Sequence, residues 1–366
     1  MNDDLPRDAE KGWVVFVSDD RLVVRISRIT DRGEGEPFGN RTSRGTPVAT
    51  ACPPGRNDFV VRDRDGGTRV RVPVAEGMVT YVGLRMQVMS EQPTTTYALR
   101  SSVGTHPLPF DARADNPAPV VAALVDGDWA TRWAAVRALE RIPPPLEPSA
   151  TPLLTALARE DAHERVRAAA RSALASAGKP VPPEPLAFVS FEQGAVGWPL
   201  GEGLASVASL VPEGYLLEGR VARGTAWRDD AMGDVLADRE EYDVLMECRW
   251  LSGNGTTAYG LTLGSGPGTF NAFCVSRDGG FSVTRFTGGR QVSAPLPRNG
   301  AAAPAITGTT VTRIEVRKRG ARYGLVVNGE DVGGFVDGTG LEVTRVGVFV
   351  DDLQSVVFRK IVVTPP

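Results

Sequence analysis

Asp161-Ala162-His163-Glu164-Arg165-Val166-Arg167-Ala168-Ala169-Ala170-Arg171-Ser172-Ala173-Leu174 decides how the middle of this chain is read. Its apolar and small residues recur at three- and four-residue intervals, the spacing that places them on one face of a helix. Thr131-Arg132-Trp133-Ala134-Ala135-Val136-Arg137-Ala138-Leu139 repeats the pattern 35 residues earlier, carrying Arg132 onto Arg167 and Leu139 onto Leu174. A period of that length is one helix pair, and such pairs stack into interaction surfaces rather than active sites. The first pair offers Val120, Val121 and Leu124, then Trp133, Val136 and Leu139; the second offers Leu153, Leu154 and Leu157, then Val166, Ala170 and Leu174. Pro117 or Pro119 suits a first helical turn, and Gly178 suits a helix C-cap. Two pairs fall short of the three or so repeats of a free-standing solenoid, so the helices are expected to lean on a flanking β-domain.

These segments resemble HEAT repeats, whose second helix opens on an Asp, carries a Val-Arg pair and closes on Ala-Leu. The resemblance covers about residues 116–178 and assigns structural roles to Arg132, Arg167, Asp128 and Asp161. It implies that each guanidinium reaches an Asp or a backbone carbonyl of an adjacent helix or turn. The helical unit is placed at 115–178, with Ile142-Pro143-Pro144-Pro145-Leu146-Glu147-Pro148 as a loop inside it. Lys179-Pro180-Val181-Pro182-Pro183-Glu184-Pro185 opens a stiff, extended linker over 179–187.

On either side the chain reads as β-structure. Between Trp13 and Tyr97, short runs such as Trp13-Val14-Val15-Phe16-Val17 and Val79-Thr80-Tyr81-Val82-Gly83-Leu84 alternate with turn signals. They predict a small antiparallel sandwich over 12–110, with residues 28–47 as a long mobile loop. Cys52-Pro53-Pro54-Gly55-Arg56-Asn57-Asp58-Phe59, followed by Val74-Ala75-Glu76-Gly77-Met78-Val79-Thr80-Tyr81-Val82, is similar to PEGA-type β-sandwich modules. From Phe188 onward, ten to twelve short strands are expected, as in a large sandwich or jelly roll. Tyr215-Leu216-Leu217-Glu218-Gly219, Tyr259-Gly260-Leu261, Leu325-Val326-Val327-Asn328-Gly329 and Val346-Gly347-Val348-Phe349-Val350 occur here in the order of concanavalin A-like, laminin-G-like sandwiches. That resemblance covers 188–366. The fold class is therefore multidomain and mainly β: an N-terminal sandwich, a short HEAT-like helical unit and a C-terminal concanavalin A-like sandwich.

Composition narrows the function. Forty-one basic and 44 acidic residues give a net charge of −3, so no global field favours nucleic acid or an anionic membrane. Cys52, Cys248 and Cys274 are widely spaced and form no C-x-x-C pair, which argues against a disulfide framework or a cysteine zinc site. The polar start, Met1-Asn2-Asp3-Asp4-Leu5-Pro6, carries no secretory signal pattern, and a cytoplasmic location is expected.

Candidate chemistry is sparse. Some concanavalin A-like enzymes carry Glu-x-Asp-x-Glu or Glu-x-Asp-x-x-Glu on a catalytic strand; here Glu241-Tyr242-Asp243-Val244-Leu245-Met246-Glu247 puts the last Glu one residue too far. Asp243 and Glu247 on one strand lie about 13 Å apart, whereas a retaining glycosidase needs about 5 Å; a solvated strand face is the expectation. His106 and His163 read as solvated surface histidines without partners. Asp229-Asp230, Asp234 with Asp238, and Asp351-Asp352 offer oxygen ligands but lack the register of a calcium loop, so neither metal nor cofactor is expected. Aromatic residues remain as candidate anchors: Trp227, Tyr259 and Phe270 in the C-terminal half, and Trp129 with Trp133, which at i and i+4 offer one patch unless, as is the stronger reading, they are buried against a neighbouring helix. The reading is a non-catalytic intracellular adaptor or regulator that binds a protein partner through the helical unit, the C-terminal sandwich or both. The alternatives are a carbohydrate-binding protein that uses the C-terminal sandwich, and an inhibitor or proteolytic target of a signalling or defence enzyme. Nucleic acid and membrane are not expected as partners.

Overall fold

The computed structural model describes the chain from Lys11 to Pro366 except residues 19–23, 31–32, 41–46, 64–66, 91–95, 110–115, 143–145, 195–196, 238 and 297–310. It divides into two compact units, the first made of residues 1–87 and 95–182, the second of 183–366 with 88–94. The architecture is mainly β with a short helical region.

Among the described residues of the first unit, nine strands precede the helices: β1 (Gly12–Ser18), β2 (Arg25–Thr30), β3 (Gly33–Asn40), β4 (Val48–Cys52), β5 (Gly55–Arg62), β6 (Gly67–Val74), β7 (Met78–Ser90), β8 (Thr96–Val103) and β9 (Leu108–Pro109). One sheet runs β4-β1-β7-β8, with β9 beside β7; the other runs β3-β2-β5-β6. Between them Val14, Phe16, Ile26, Phe59, Val72, Val82 and Leu84 form a closed core. The expected loop at 28–47 is largely strand instead, because β3 pairs with β2 from Thr30↔Gly33 to Arg25↔Asn40. Gly, Glu and Pro in that segment hid a strand whose pairing comes from its neighbour rather than from apolar alternation.

β1 is buried along all seven residues, because both of its faces are covered. Val14 and Phe16 point into the sandwich, while Trp13, Val15 and Val17, with Val79 and Tyr81 of β7, share a second core with four helices. These are α1 (Ala118–Ala123), α2 (Trp129–Leu139), α3 (Ala150–Glu160) and α4 (Glu164–Ser176). β1 and β7 run parallel, Trp13 beside Val79, and an uninterrupted apolar run is what a strand buried on both faces requires. The helices therefore lean on the sheet and complete its core.

Their ends are set by local chemistry. Asp128 caps α2 by accepting from the Thr131 N–H at 2.9 Å. α4 closes with Gly178 at φ +64, where Lys179 N donates to Leu174 O at 2.9 Å and Gly178 N to Ala175 O at 3.0 Å. That pair of bonds needs a left-handed residue past the helix end, which glycine adopts without strain.

The second unit holds β10 (Ala187–Ser190), β11 (Gly201–Glu202), β12 (Ser206–Val211), β13 (Gly214–Gly219), β14 (Thr225–Ala231), a single turn α5 (Gly233–Leu236), β15 (Glu241–Gly253), β16 (Tyr259–Gly266), β17 (Thr269–Val275), β18 (Phe281–Thr287), β19 (Arg290–Leu296), β20 (Thr312–Arg319), β21 (Arg322–Val327), β22 (Glu330–Val336), β23 (Arg345–Asp351) and β24 (Gln354–Thr364). This exceeds the ten to twelve strands read from the sequence, because short edge strands such as β11 carry no apolar pattern. One sheet runs β11-β12-β13-β24-β15-β20-β21-β22, with β10 beside β24; the other runs β14-β23-β16-β17-β18-β19. Alternate residues of both, among them Tyr215, Val244, Met246, Leu261, Phe273, Val348 and Phe358, fill one core. On the far side of β15, Asp243 pairs with Arg319 at 2.7 Å and Glu247 with Arg359 at 2.6 Å. The expected solvated carboxylate face is thus an ion-paired one, with both carboxylate side chains 12 % exposed.

Candidate functional site

The six-stranded sheet of the second unit turns one face to the core and carries an unusual second face. Register places Trp227 beside Phe349, Phe349 beside Gly260, and Gly260 beside Cys274. The next row is Asp229, Gly347, Thr262 and Ala272. The one after runs Arg345, Gly264, Phe270 and Phe286. Glycines at 260, 264 and 347 leave the middle of this face without bulk, and the aromatic rings lean into the space. Phe270 stacks on Phe286 at 4.9 Å, Phe286 meets Phe349 at 5.6 Å, and Trp227 tilts onto Phe270 at 5.3 Å. Phe270, Phe286 and Phe349 are buried in this small cluster, while Trp227 is only partly buried.

The indole is fixed from the side as well. A Cβ at Gly289, which sits at φ +76 in the turn between β18 and β19, would come within 3.1 Å of the Trp227 ring. The glycine therefore both allows the turn and seats the ring. Along the same face, the Arg345 guanidinium grips Asp229 Oδ1 through Nε at 2.8 Å and Nη2 at 2.7 Å. Further along β23, burial and then the neighbouring charge of Asp352 push the Asp351 carboxyl above its ordinary range. Burial likewise raises the Cys274 thiol well above its usual value, so it stays protonated and is no nucleophile. The result is a rigid aromatic platform beside a fixed carboxylate–guanidinium pair.

Of the anchors named from sequence, Trp227 and Phe270 come together here. Tyr259 does not: it faces the core, 2 % exposed, with its hydroxyl 3.4 Å from Thr312 Oγ1. Trp129 and Trp133 are not an exposed patch either, at 5 % and 8 % exposure. Trp129 lies flat on His163 with ring centroids 3.7 Å apart, and the Arg165 guanidinium sits 5.1 Å over Trp133. Both rings belong to the core shared with β1 and β7, so the i, i+4 pair faces the sheet.

The repeat residues form a ladder. Arg132 binds Asp161 through Nε at 2.6 Å and Nη2 at 3.0 Å, and also donates to Asp126 O. Arg167 donates to Asp161 O at 2.7 Å, one repeat on. Asp128 also accepts from Gly83 N at 3.1 Å and Ser102 Oγ at 2.6 Å, tying the helix start to the strands. His106 is at the surface but has a partner, and His163 is buried. His106 Nδ1 lies 2.8 Å from buried Asp126, and His163 is 7 % exposed. Burial first, then Arg165, Arg132 and Arg167, lower the His163 pKa to about 3.

Among the acidic pairs, Asp229 is taken by Arg345, Asp352 accepts from Arg223 N at 3.0 Å, and Asp238 lies outside the described residues. Among those residues no group of three or more His, Cys, Asp or Glu side chains could hold a metal ion, and no helix is long and apolar enough to cross a membrane. Phe286 and Phe349 were missed from sequence. The signal was present in Val346-Gly347-Val348-Phe349-Val350, where alternation puts Phe349 on the face opposite the valines.

A family model for HEAT repeats matches residues 112–175. No curated protein matches the chain. Among solved structures, the carbohydrate-binding module CBM66 from Bacillus subtilis is 16 % identical, covering 46 % of this chain and 95 % of its own, with a TM-score of 0.37. Sheep galectin-11 is 14 % identical over 39 % of this chain and 99 % of its own, with a TM-score of 0.29. The GH43 protein BlXynB from Bacillus licheniformis is 11 % identical over 49 % of this chain and 39 % of its own, with a TM-score of 0.36. All three are β-sandwich similarities at low identity, and none of the three scores is high enough to bear on function.

Proposed function

We propose that the second unit binds carbohydrate, without cleaving it, on the outward face of its six-stranded sheet. The observation that carries this reading is Trp227: a partly open indole, held by a floor of buried phenylalanines and the Gly289 turn, next to the Asp229–Arg345 pair. The C–H face of a sugar ring gains from an aromatic surface that loses no freedom on binding. Its hydroxyls both donate and accept, which suits a carboxylate and a guanidinium fixed side by side.

Cleavage is disfavoured by spacing. Asp351, the carboxyl on this face with a raised pKa, stands beside Thr225, and Asp229 stands four residues along β14. That is about 13 Å along the strand, beyond both the 5–5.5 Å and the 6.5–9.5 Å separations of glycosidase pairs. A protein partner for the helical unit, the expectation from sequence, finds neither Trp129 nor Trp133 at the surface.

The test is calorimetric titration of the whole chain with a panel of neutral oligosaccharides, alongside Trp227→Ala. Binding that weakens about 30-fold, the equivalent of a 2 kcal/mol hot spot, is the expected result. Binding of equal strength by the variant, or release of sugar during incubation, overturns the proposal.

A further inference from the structure

The connection between β15 and β16 carries Asn254-Gly255-Thr256, and the turn between β21 and β22 carries Asn328-Gly329. A third such pair, Asn299-Gly300, lies outside the described residues. An asparagine followed by glycine is able to react with its own chain, because no side chain on the glycine screens its backbone nitrogen from the asparagine amide. The structure holds the two described pairs in opposite ways.

Asn254 and Thr256 are exposed. The Asn254 side chain accepts through Oδ1 from Thr256 N at 3.1 Å and from Thr256 Oγ1 at 2.9 Å. A side chain bonded two residues ahead is folded over the peptide between, which brings its Cγ over the Gly255 nitrogen. That peptide is pinned on both sides. Asn254 O accepts from Thr257 N at 3.1 Å and Thr257 Oγ1 at 2.7 Å, and Gly255 O accepts from Asp278 N at 3.1 Å. Among the described residues no acceptor takes the Gly255 N–H. Asn328 is the contrary case. Its Oδ1 accepts from Arg313 N at 2.8 Å and its own N donates to Arg313 O at 2.9 Å, so its amide is committed to the neighbouring strand β20 rather than to the peptide that follows it. The pairing of Val327 with Glu330 locks the turn around it.

We infer that Asn254 is a site of self-modification, at which the Gly255 nitrogen attacks the side-chain amide and converts it to a carboxylate. The nitrogen gives its proton to hydroxide and bonds to Cγ. The negative charge that develops on Oδ1 meets the two Thr256 donors already aimed at that atom. Collapse breaks the Cγ–Nδ2 bond, Nδ2 takes up a proton and leaves as ammonia, and a five-membered imide remains. Water then adds to either imide carbonyl and opens the ring, to aspartate by one route and to isoaspartate by the other. Water is the only co-reactant. Both products add a negative charge, and isoaspartate also lengthens the main chain shortly before Ala258, which packs against the Trp227 cluster and whose carbonyl accepts from Asp351 N at 2.9 Å and Gln354 Nε2 at 2.6 Å. The site stands whether or not the Trp227 face binds glycan.

Peptide mapping by mass spectrometry of the full chain, aged in mildly alkaline buffer, reads both pairs in one sample. Asn254 is expected to convert at least about tenfold faster than Asn328 in the folded chain, and the gap should close in denaturant, where neither side chain is held. Thr256→Ala should slow the Asn254 reaction about fivefold, the worth of one hydrogen bond, and Thr256→Ser should restore it. Gly255→Ala, whose new Cβ would meet Arg277 at an ordinary 3.5 Å, should slow it at least about tenfold by screening the nitrogen. The comparison of Asn254 with Asn328 decides even if a variant fails to fold. Conversion of Asn254 no faster than that of Asn328, a gap that persists in denaturant, or a Thr256→Ala chain that reacts as fast as wild type overturns the inference.

Discussion

The sheet containing β1 and the six-stranded sheet of the second unit both carry large apolar side chains on the face turned away from their own sandwich. In the first, Trp13, Val15, Val17, Val79 and Tyr81 lie under four helices in one continuous core. In the second, Trp227, Phe270, Phe286 and Phe349 rest on one another, and among the described residues no helical one joins their cluster. Similar residues thus serve opposite ends. What separates the two is what each face leaves at the surface: its large rings are all buried in the first case, and part of the Trp227 ring stays exposed in the second.

Single substitutions sharpen that contrast. Trp133→Ala removes a ring from the covered face and is expected to cost the first unit about 3–5 kcal/mol, as for other buried large-to-small changes; chemical denaturation reads it. Trp227→Ala should leave the melting of the second unit within a few degrees, a shift of about 1 kcal/mol or less in a domain of this size, and a large loss there would make Trp227 a core residue. Arg132→Ala strands the buried Asp161 carboxylate. It should cost about 3 kcal/mol, because breaking one side of a buried pair leaves a charge without its partner, and equality with Arg137→Ala on the exposed side would break the ladder argument.

Acid should act on the covered face before the open one. His163 is held neutral in the fold with its pKa near 3, below the unfolded value of about 6.5. The unfolded chain therefore takes up the proton first, and the stability contributed by the neutral ring, complete above pH 6.5, declines as pH falls toward 3. The slope is at most about 1.4 kcal/mol per pH unit, and His163→Gln should flatten it between pH 4 and 6.5. The smallest effect concerns proteolysis without unfolding: the exposed stretch from Lys179 to Pro185 should be cut first, giving two large fragments, whereas residues 33–40, held in β3 against β2, should resist.

The helical repeat was legible because its information is local. A 35-residue shift that aligns Arg132 with Arg167 needs no knowledge of the rest of the fold, and the carboxylate and carbonyl partners of those guanidinia follow from the same geometry. The aromatic face was only half legible. Trp227 stood out by its small and charged neighbours, but Phe349 and Phe286 look like core residues until the strand register sets which way they point. Tyr259 failed for the same reason, one residue of alternation placing it on the inner side. His163 was misread because a histidine at a helix entry looks solvent-bound until Trp129 is known to lie against it.

Synthesis gives β1 a long wait. Trp13 emerges from the ribosome far ahead of Val79, its neighbour in the sheet, and further still ahead of Leu174, which shares its core. During that interval the edge of β1 that later meets β7, and the face that later meets the helices, lack their partners, the condition in which strands of different chains pair with one another. The first unit must therefore complete its fold late, after α4 has been made. A nascent chain stalled or cleaved near residue 110 would leave the β1–β7 surface bare, so the helices act for this sheet as a lid delivered last, and their loss would offer that apolar surface to other chains.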